Sequence, residues 1–216
     1  LDTARDVYAQ VAAAVARFEP VTMLANPEDL DDAERRCGGE VDVVAMHIDD
    51  SWLRDSGPIT VRLLDDGGSD GRRVGVHFGF NAWGEAFTPF DADRLVGAEV
   101  LDHLGIDRID ATDFVLEGGS IAVDGAGRLV TTERCLLNAN RNPGLDRMQI
   151  EERLGLHFGV DHVVWCANGI AEDDGTDGHI DNAAGFVGPN RLLLQGCAEP
   201  SNPNHGIAAD NRHRIE

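Results

Sequence analysis

Asp55, Glu117 and His179 are the residues of this chain whose types and spacing could do chemistry. Asp55 ends the run Trp52-Leu-Arg-Asp55, Glu117 opens Glu117-Gly-Gly-Ser120, and His179 lies within Asp177-Gly-His-Ile-Asp-Asn182. The intervals Asp55 to Glu117 and Glu117 to His179 are both 62 residues. A fixed interval of that size marks a repeated supersecondary unit that sends one polar residue per unit to a shared centre. Two carboxylates and a His179-x-Asp181 pair meeting there would bind a cation and transfer a proton.

Taken singly, each residue has an ordinary reading. Asp55 beside Arg54 fits a turn carboxylate near an ion pair, and Glu117-Gly-Gly fits a strand-to-turn signal. Trp52 and Trp83 fit core aromatics. His179-x-Asp181 fits a metal-ligand pair, a structural hydrogen bond or catalysis. The equal spacing favours a common purpose.

The elements that must position these residues follow from hydrophobic periodicity. Thr3 to Phe18 carries Val7, Val11, Val15 and Phe18 at helical spacing, which predicts one apolar helix face. A short strand over Val21 to Leu24 follows Pro20. Asn26-Pro27 predicts an N-cap with proline at the first helical position, opening an acidic helix that ends near Gly38-Gly39. Val41 to Ile48 is almost continuously apolar, as expected of a strand buried on both faces. Ile59 to Leu64 and Val74 to Phe80 predict a hairpin across Asp65-Asp-Gly-Gly-Ser-Asp-Gly71. A helix over Asp91 to Leu104, stopped by Gly105, leads to a strand near Ile106 to Ile109. The order then recurs. Ser120 to Val123 and Arg128 to Thr132 turn at Asp124-Gly-Ala-Gly127, a helix covers Asp146 to Leu154, and a strand covers His162 to Cys166. A third hairpin turns at Gly188-Pro-Asn190, and Pro203 opens another helix. The unit is strand, acidic loop, hairpin, helix, seen about three times. Closing such units into a ring would bury strand edges and focus the loops on the axis. Three units look too few to close, so the chain reads as incomplete.

The length of 216 residues allows one large domain, with an apolar fraction of 42%. Net charge is −21, from 39 acidic residues and 18 basic ones that are all arginine. That surface disfavours nucleic acid, whose phosphates need Lys and Arg, and favours a cationic small molecule. The acidity also fits a GC-rich genome or a salty cytoplasm. No apolar run approaches the ~20 residues of a membrane span, so no membrane partner is expected. Cys37, Cys135, Cys166 and Cys197 are far apart, which argues against a zinc cluster or disulfide framework and for reduced cytosolic thiols. A cytoplasmic location follows as an expectation.

Four segments carry a family likeness. Asp50-Ser-Trp-Leu-Arg-Asp-Ser-Gly-Pro58, Phe80-Asn-Ala-Trp-Gly84, Leu116-Glu-Gly-Gly-Ser-Ile121 and Gly178-His-Ile-Asp-Asn182 resemble, in order, the agmatine deiminases. These belong to the bacterial peptidylarginine-deiminase group of the guanidine-modifying superfamily. The resemblance implies an α/β fold, the five-bladed α/β propeller (pentein) of ββαβ units. Residues 1–216 would then be a partial pentein catalytic domain of about three units, lacking the extreme N-terminus and the C-terminal nucleophile segment. It implies hydrolysis of agmatine to N-carbamoylputrescine and ammonia, a step of putrescine synthesis, with no cofactor and no metal.

By the same resemblance, Asp55 and Asp181 clamp the substrate guanidinium, for which carboxylates accepting paired hydrogen bonds are suited. His179 is the general acid/base, Glu117 orients it, and Trp52 and Trp83 wall the pocket. The family's nucleophile is a cysteine in a Gly-rich C-terminal segment. None of the four cysteines here has that context, so no nucleophile is assigned within the chain and the chain alone is expected to be inactive. Peptidyl-arginine or another guanidino compound is an alternative substrate, and the reading allows a homo-oligomer. From other classes come a metal-dependent hydrolase ligated by Asp177, His179 and Asp181, and a non-catalytic pentein that only binds a partner. The first lacks a second histidine cluster. The second would not need the whole polar set.

Overall fold

Turn chemistry and helix caps divide the chain where the apolar periodicity changes. The computed structural model describes residues 2–63 and 71–216. Helix α1 (Asp2–Ala16) leads into β1 (Thr22–Ala25), α2 (Leu30–Cys37) and β2 (Asp42–Ala45). Strands β1 and β2 pair in parallel across α2. A single turn, α3 (Leu53–Ser56), precedes β3 (Ile59–Leu63), which pairs antiparallel with β4 (Arg72–Gly79). Helix α4 (Asp93–Leu104) crosses over to β5 (Arg108–Val115), parallel to β4. The pattern recurs in β6 (Ile121–Val123), β7 (Arg128–Thr132) and β8 (His162–Cys166), joined through α5 (Glu133–Leu136) and α6 (Arg147–Phe158). It starts a third time with the hairpin of β9 (Ala184–Gly188) and β10 (Arg191–Leu194), followed by α7 (Asn204–Ile215). The fold is α/β, and the repeated unit is hairpin, crossover helix, parallel strand.

Local chemistry explains the helix limits. Asp146 accepts from the Gln149 backbone N–H at 2.9 Å while the Gln149 side chain accepts from Asp146 N–H at 2.9 Å, a capping box that starts α6. Gly105, at φ +62°, ends α4 in the left-handed conformation. The main core lies between the two three-stranded sheets and their helices. It contains Val76, Phe78, Phe114, Leu129, Ile150 and Leu154, all buried. Burying each side chain of this size stabilises the fold by roughly 1.5–3 kcal/mol. Leu154→Ala would cost about 2–5 kcal/mol.

Four expectations change. The Val41 to Ile48 run forms only the four-residue β2, whose residues are half-buried or exposed, because among the described residues it pairs with β1 alone. On α1 the valine stripe faces outward, with Val7 and Val11 53% and 58% exposed, and Phe18, beyond the helix end, is 85% exposed. The face that packs on Cys37 and Val41 is formed by Ala9 and Ala12, whose small side chains let the backbone approach closely. Asn26 makes no capping bond; its amide instead bonds both backbone groups of Ile48 at 3.0 Å. Strand β5 runs to Val115, well past Ile109. The turn expected at Asp65 to Gly71 lies, apart from Gly71, outside the described residues, as does Leu64.

Three loops occupy the same place in successive units, each just before a hairpin. They carry Asp55 on α3, Glu117 ahead of a 3-10 turn (Gly118–Ser120), and His179 ahead of another (Ile180–Asn182).

Candidate active site

Buried apolar neighbours anchor two of these loops from below. Leu116 precedes Glu117 and Ile180 follows His179, at 2% and 0% exposure, so the polar residue beside each is held at a fixed depth. The backbone before His179 is tied as well. Thr132 Oγ1 donates to Gly178 O at 2.7 Å, and the Asp173 carboxylate accepts from His179 N–H at 3.0 Å. Burial would raise the Asp173 carboxyl, but donors from Thr176, His179 N–H and Asn182 outweigh it and hold it below 3.8.

His179 meets a different environment at each ring nitrogen. Its Nδ1 lies 3.7 Å from Asp55 Oδ1, and its Nε2 lies 4.0 Å from Glu117 Oε2. Among the described residues Glu117 Oε2 and His179 Nε2 are buried without a hydrogen-bond partner, and they face each other at 4.0 Å. On the Nδ1 side, Gly119 marks the point of convergence. A Cβ there would stand 2.6 Å from His179 Nδ1, 2.7 Å from Asp181 Oδ2 and 2.8 Å from Asp55 Oδ1. Two carboxylates and an imidazole therefore surround a position that any added side chain would crowd. Asp181 sits at the exposed lip; partial desolvation raises its carboxyl, His179 opposes this, and the Asp55 charge adds to it.

Asp55 is aimed by two donors. Gly119 N–H donates to its Oδ1 at 2.9 Å, and the Trp83 indole N–H donates to its Oδ2 at 3.1 Å. Trp83 reaches Asp55 from an unusual backbone. Ala82, Trp83, Gly84 and Glu85 have φ of 51°, 58°, 82° and 63°, a full left-handed turn. Each non-glycine residue there costs about 1–2 kcal/mol relative to a right-handed conformation. Strain of this kind persists where the surroundings over-determine it. Here Asn81 Oδ1 accepts from Gly84 N–H at 2.9 Å, and Phe80 and Phe87 pack edge-on against the Trp83 ring.

Among the expected site residues, the structure brings Asp55, Glu117, His179, Asp181 and Trp83 together. Trp52 is not among them: it precedes α3 but is 57% exposed. Sequence reasoning missed Arg141, whose side chain is fully buried and bonds Glu117 Oε1 through Nε at 2.6 Å. Burial works against its charge, but Glu117, Cys135 and Asp177 together outweigh this and raise the guanidinium. The available signal was the polar run Asn138-Ala-Asn-Arg-Asn-Pro143, which is dense in side chains that must find partners if buried.

No thiol is placed as a ready nucleophile on the Nδ1 side. Cys135 is near His179, but it groups with Glu117 on the Nε2 side, with ligand atoms within 4.8 Å of one another. Burial first, and Glu117 next, push its thiol well up, away from the thiolate that attacks or binds metal. That trio therefore fits a packed polar interior better than a metal centre. Asp177 does not join His179 and Asp181 as a ligand, since its Oδ2 is taken by Arg141 and Asn140, both at 2.9 Å. Cavity size does not identify the site. A cavity of about 500 Å³ lies elsewhere, lined by Tyr8, Asn26, Arg36 and Asp50 among others, and none of the converging residues borders it.

Comparison with known proteins adds to this geometry. The profile of the Porphyromonas-type peptidyl-arginine deiminases matches residues 1–216. Agmatine deiminase of Pseudomonas fluorescens is 42% identical over 207 residues, covering 94% of this chain and 55% of that protein. Agmatine deiminase of Pseudomonas aeruginosa is 44% identical with the same coverage, 94% and 55%. The chain thus spans about half the length of these relatives. Among solved structures, agmatine deiminase of Enterococcus faecalis superimposes with a TM-score of 0.89 at 34% identity, covering 96% of this chain and 56% of the other. An agmatine deiminase of C. jejuni superimposes at 0.87 with 28% identity, over 100% of this chain and 62% of the other.

Proposed function

Since this chain belongs to the Porphyromonas-type peptidyl-arginine deiminase family, we propose that it forms part of an enzyme hydrolysing agmatine to N-carbamoylputrescine and ammonia. The observation that carries the reading is the convergence of Asp55 Oδ1, Asp181 Oδ2 and His179 Nδ1 on Gly119. The substrate is taken from the agmatine deiminases to which the chain is similar. In this reading residues 1–216 are a partial domain of a five-bladed propeller, and the nucleophile is a cysteine outside them.

Asp55 and Asp181 accept hydrogen bonds from the planar guanidinium and neutralise it. At ~4 Å and an effective dielectric of ~20 each contact is worth roughly 4 kcal/mol before desolvation is subtracted. The bound cation favours the ionised form of Asp181 and opposes the desolvation that raises its carboxyl. The thiolate then adds to the guanidinium carbon, forming a C–S bond. One C–N bond breaks, and the nitrogen leaves as ammonia with a proton from His179. Water loses a proton to His179 and adds to the thiouronium carbon, the C–S bond breaks with the sulfur leaving as thiolate, and the hydroxyl proton passes to solvent, where it is taken up by ammonia. The product is the ureido compound. Glu117 holds the Nε2 side of His179 throughout, a third-group role, and Trp83 keeps Asp55 aimed.

Peptidyl-arginine is the second substrate reading, favoured by the name of the family. Ammonia release from agmatine, arginine and a peptidyl-arginine, measured on the 216-residue chain and on a form containing the nucleophile segment, tests both. The expected result is agmatine turnover by the longer form only. Turnover by the pure chain overturns the nucleophile assignment, and preference for peptidyl-arginine replaces the substrate.

A further inference from the structure

Arg141 commits every guanidinium nitrogen to the protein. Nε donates to Glu117 Oε1 at 2.6 Å, Nη1 to Asn140 Oδ1 at 2.7 Å and Asp177 Oδ2 at 2.9 Å, and Nη2 to Thr176 O at 3.1 Å. Both Arg141 and Glu117 side chains are at 0% exposure. Four of the five Arg141 N–H donors are thereby used within the protein. Such a pair gains little net stability over an apolar core, yet removing one partner strands a buried charge.

We propose that Arg141 is a positioning residue that holds the Glu117–His179 pair in register, an inference that rests on Glu117 acting through His179 as above. Three contacts give it that reach. By occupying Oε1 it fixes the rotation of the Glu117 carboxylate, which leaves Oε2 as the oxygen facing His179 Nε2 at 4.0 Å. By holding Thr176 and Asp177 it fastens the segment directly before Gly178 and His179. Its neighbour Asn140 accepts from the Asn81 amide at 2.8 Å, and a Cβ at Gly84 would strike Asn140 Nδ2 at 2.3 Å and Arg141 Nη1 at 2.9 Å. The left-handed turn carrying Trp83 therefore packs on the same guanidinium. One side chain links the loop of Glu117, the loop of His179 and the turn that aims Asp55.

The test is a double-mutant cycle in the catalytically competent form, with agmatine turnover, KM and thermal melting measured for Arg141→Gln, Arg141→Lys, Glu117→Gln and the Arg141→Gln/Glu117→Gln pair. Misplacing a catalytic group by 1 Å can cost about 100-fold, so Arg141→Gln is expected to lower kcat about 10–100-fold while KM stays within about threefold. Arg141→Lys keeps the charge but loses the fork geometry, and should recover part of that loss. In the Glu117→Gln background the Arg141→Gln change should cost clearly less than in the parent, because part of its effect passes through Glu117. If Glu117→Gln is damaging and Arg141→Gln multiplies that damage by its full cost in the parent, Arg141 acts by another route and this inference falls while the function stands. Near-normal turnover of Glu117→Gln overturns the pairing itself. Should Arg141→Gln fail to fold, Arg141→Lys decides: a lower kcat at unchanged melting temperature supports the inference, and wild-type kcat sinks it.

Discussion

The two sides of His179 are built for opposite purposes. Glu117 on the Nε2 side, with the Cys135 and Arg141 side chains near it, is at 0% exposure, and each guanidinium nitrogen of Arg141 donates to a protein acceptor. On the Nδ1 side, Asp55 is 9% exposed and Asp181 stands at an open lip, with a glycine between them. A dry, closed wall can orient a ring but has no room for a ligand. An open pair of carboxylates can take in a cation and hand it to the imidazole. The contrast separates alignment from binding, two properties usually entangled in one pocket.

Removing the ring should give the largest effect. His179→Ala, in the catalytically competent form, is expected to lose about 10²–10⁴ in kcat, the range of general acid–base catalysis. Binding of an inert guanidino analogue, followed by calorimetry, should change little. Glu117→Gln should retain more turnover than His179→Ala, since it does not itself carry the proton.

The open side responds differently. Asp55→Asn removes one anion from the clamp and replaces one acceptor oxygen with an NH2 donor, which leaves either Gly119 N–H or the Trp83 indole N–H facing another donor. Leaving a buried donor unmet costs about 1–3 kcal/mol, in addition to the lost ion pair. Analogue binding should therefore weaken by about 10²–10³-fold. Near-normal binding by Asp55→Asn together with loss of binding in His179→Ala would reverse the roles assigned to the two sides.

A steric probe sharpens the same contrast. Gly119→Ala puts a methyl against three site atoms at 2.6–2.8 Å, all of them ends of side chains. The side chains can swing away, so melting should shift by no more than about 4 °C, roughly 1 kcal/mol for a chain of this size. Analogue binding should fall about tenfold or more, corresponding to about 1.4 kcal/mol. Unchanged binding would mean that the substrate does not approach this point.

The smallest effect concerns Asp181 and pH. Its folded carboxyl is raised above 3.8, so the folded state holds that proton more tightly than the unfolded chain. This contribution to stability is fully present below 3.8 and is lost as pH rises through the raised value. Asp181→Asn should therefore melt slightly higher than the parent at neutral pH and equally at low pH. A guanidino ligand should cancel the difference by stabilising the parent more. Melting curves from acid to neutral pH, with and without ligand, check the sign; a variant less stable at neutral pH contradicts it.

What was legible in the sequence was mostly local or periodic. The 62-residue interval located three loops at equivalent places in successive units, and the structure brings Asp55, Glu117 and His179 together as that spacing implied. The turns at Asp124 to Gly127 and Gly188 to Asn190, and the end of α4 at Gly105, followed from turn and capping chemistry within a few residues. Burial was less legible. The Val41 to Ile48 run and the valine stripe of α1 are apolar in composition, but whether they are covered depends on what packs against them.

The sequence by itself therefore determined the order of elements, the repeated unit and the residue types sent to the centre. The tertiary structure alone decided how that centre is wired. Arg141 lies 24 residues from Glu117 and 36 from Asp177, and no spacing rule links such partners. Nothing local in Phe80-Asn-Ala-Trp-Gly84 announces a left-handed turn, because that conformation is unfavourable until Asn81, Phe80 and the Asp55 carboxylate hold it. Short-range preferences are set by the chain's own sterics and can be read along it. Pairings between distant polar groups are settled only when burial removes water and leaves each group to the partners that folding has brought within reach.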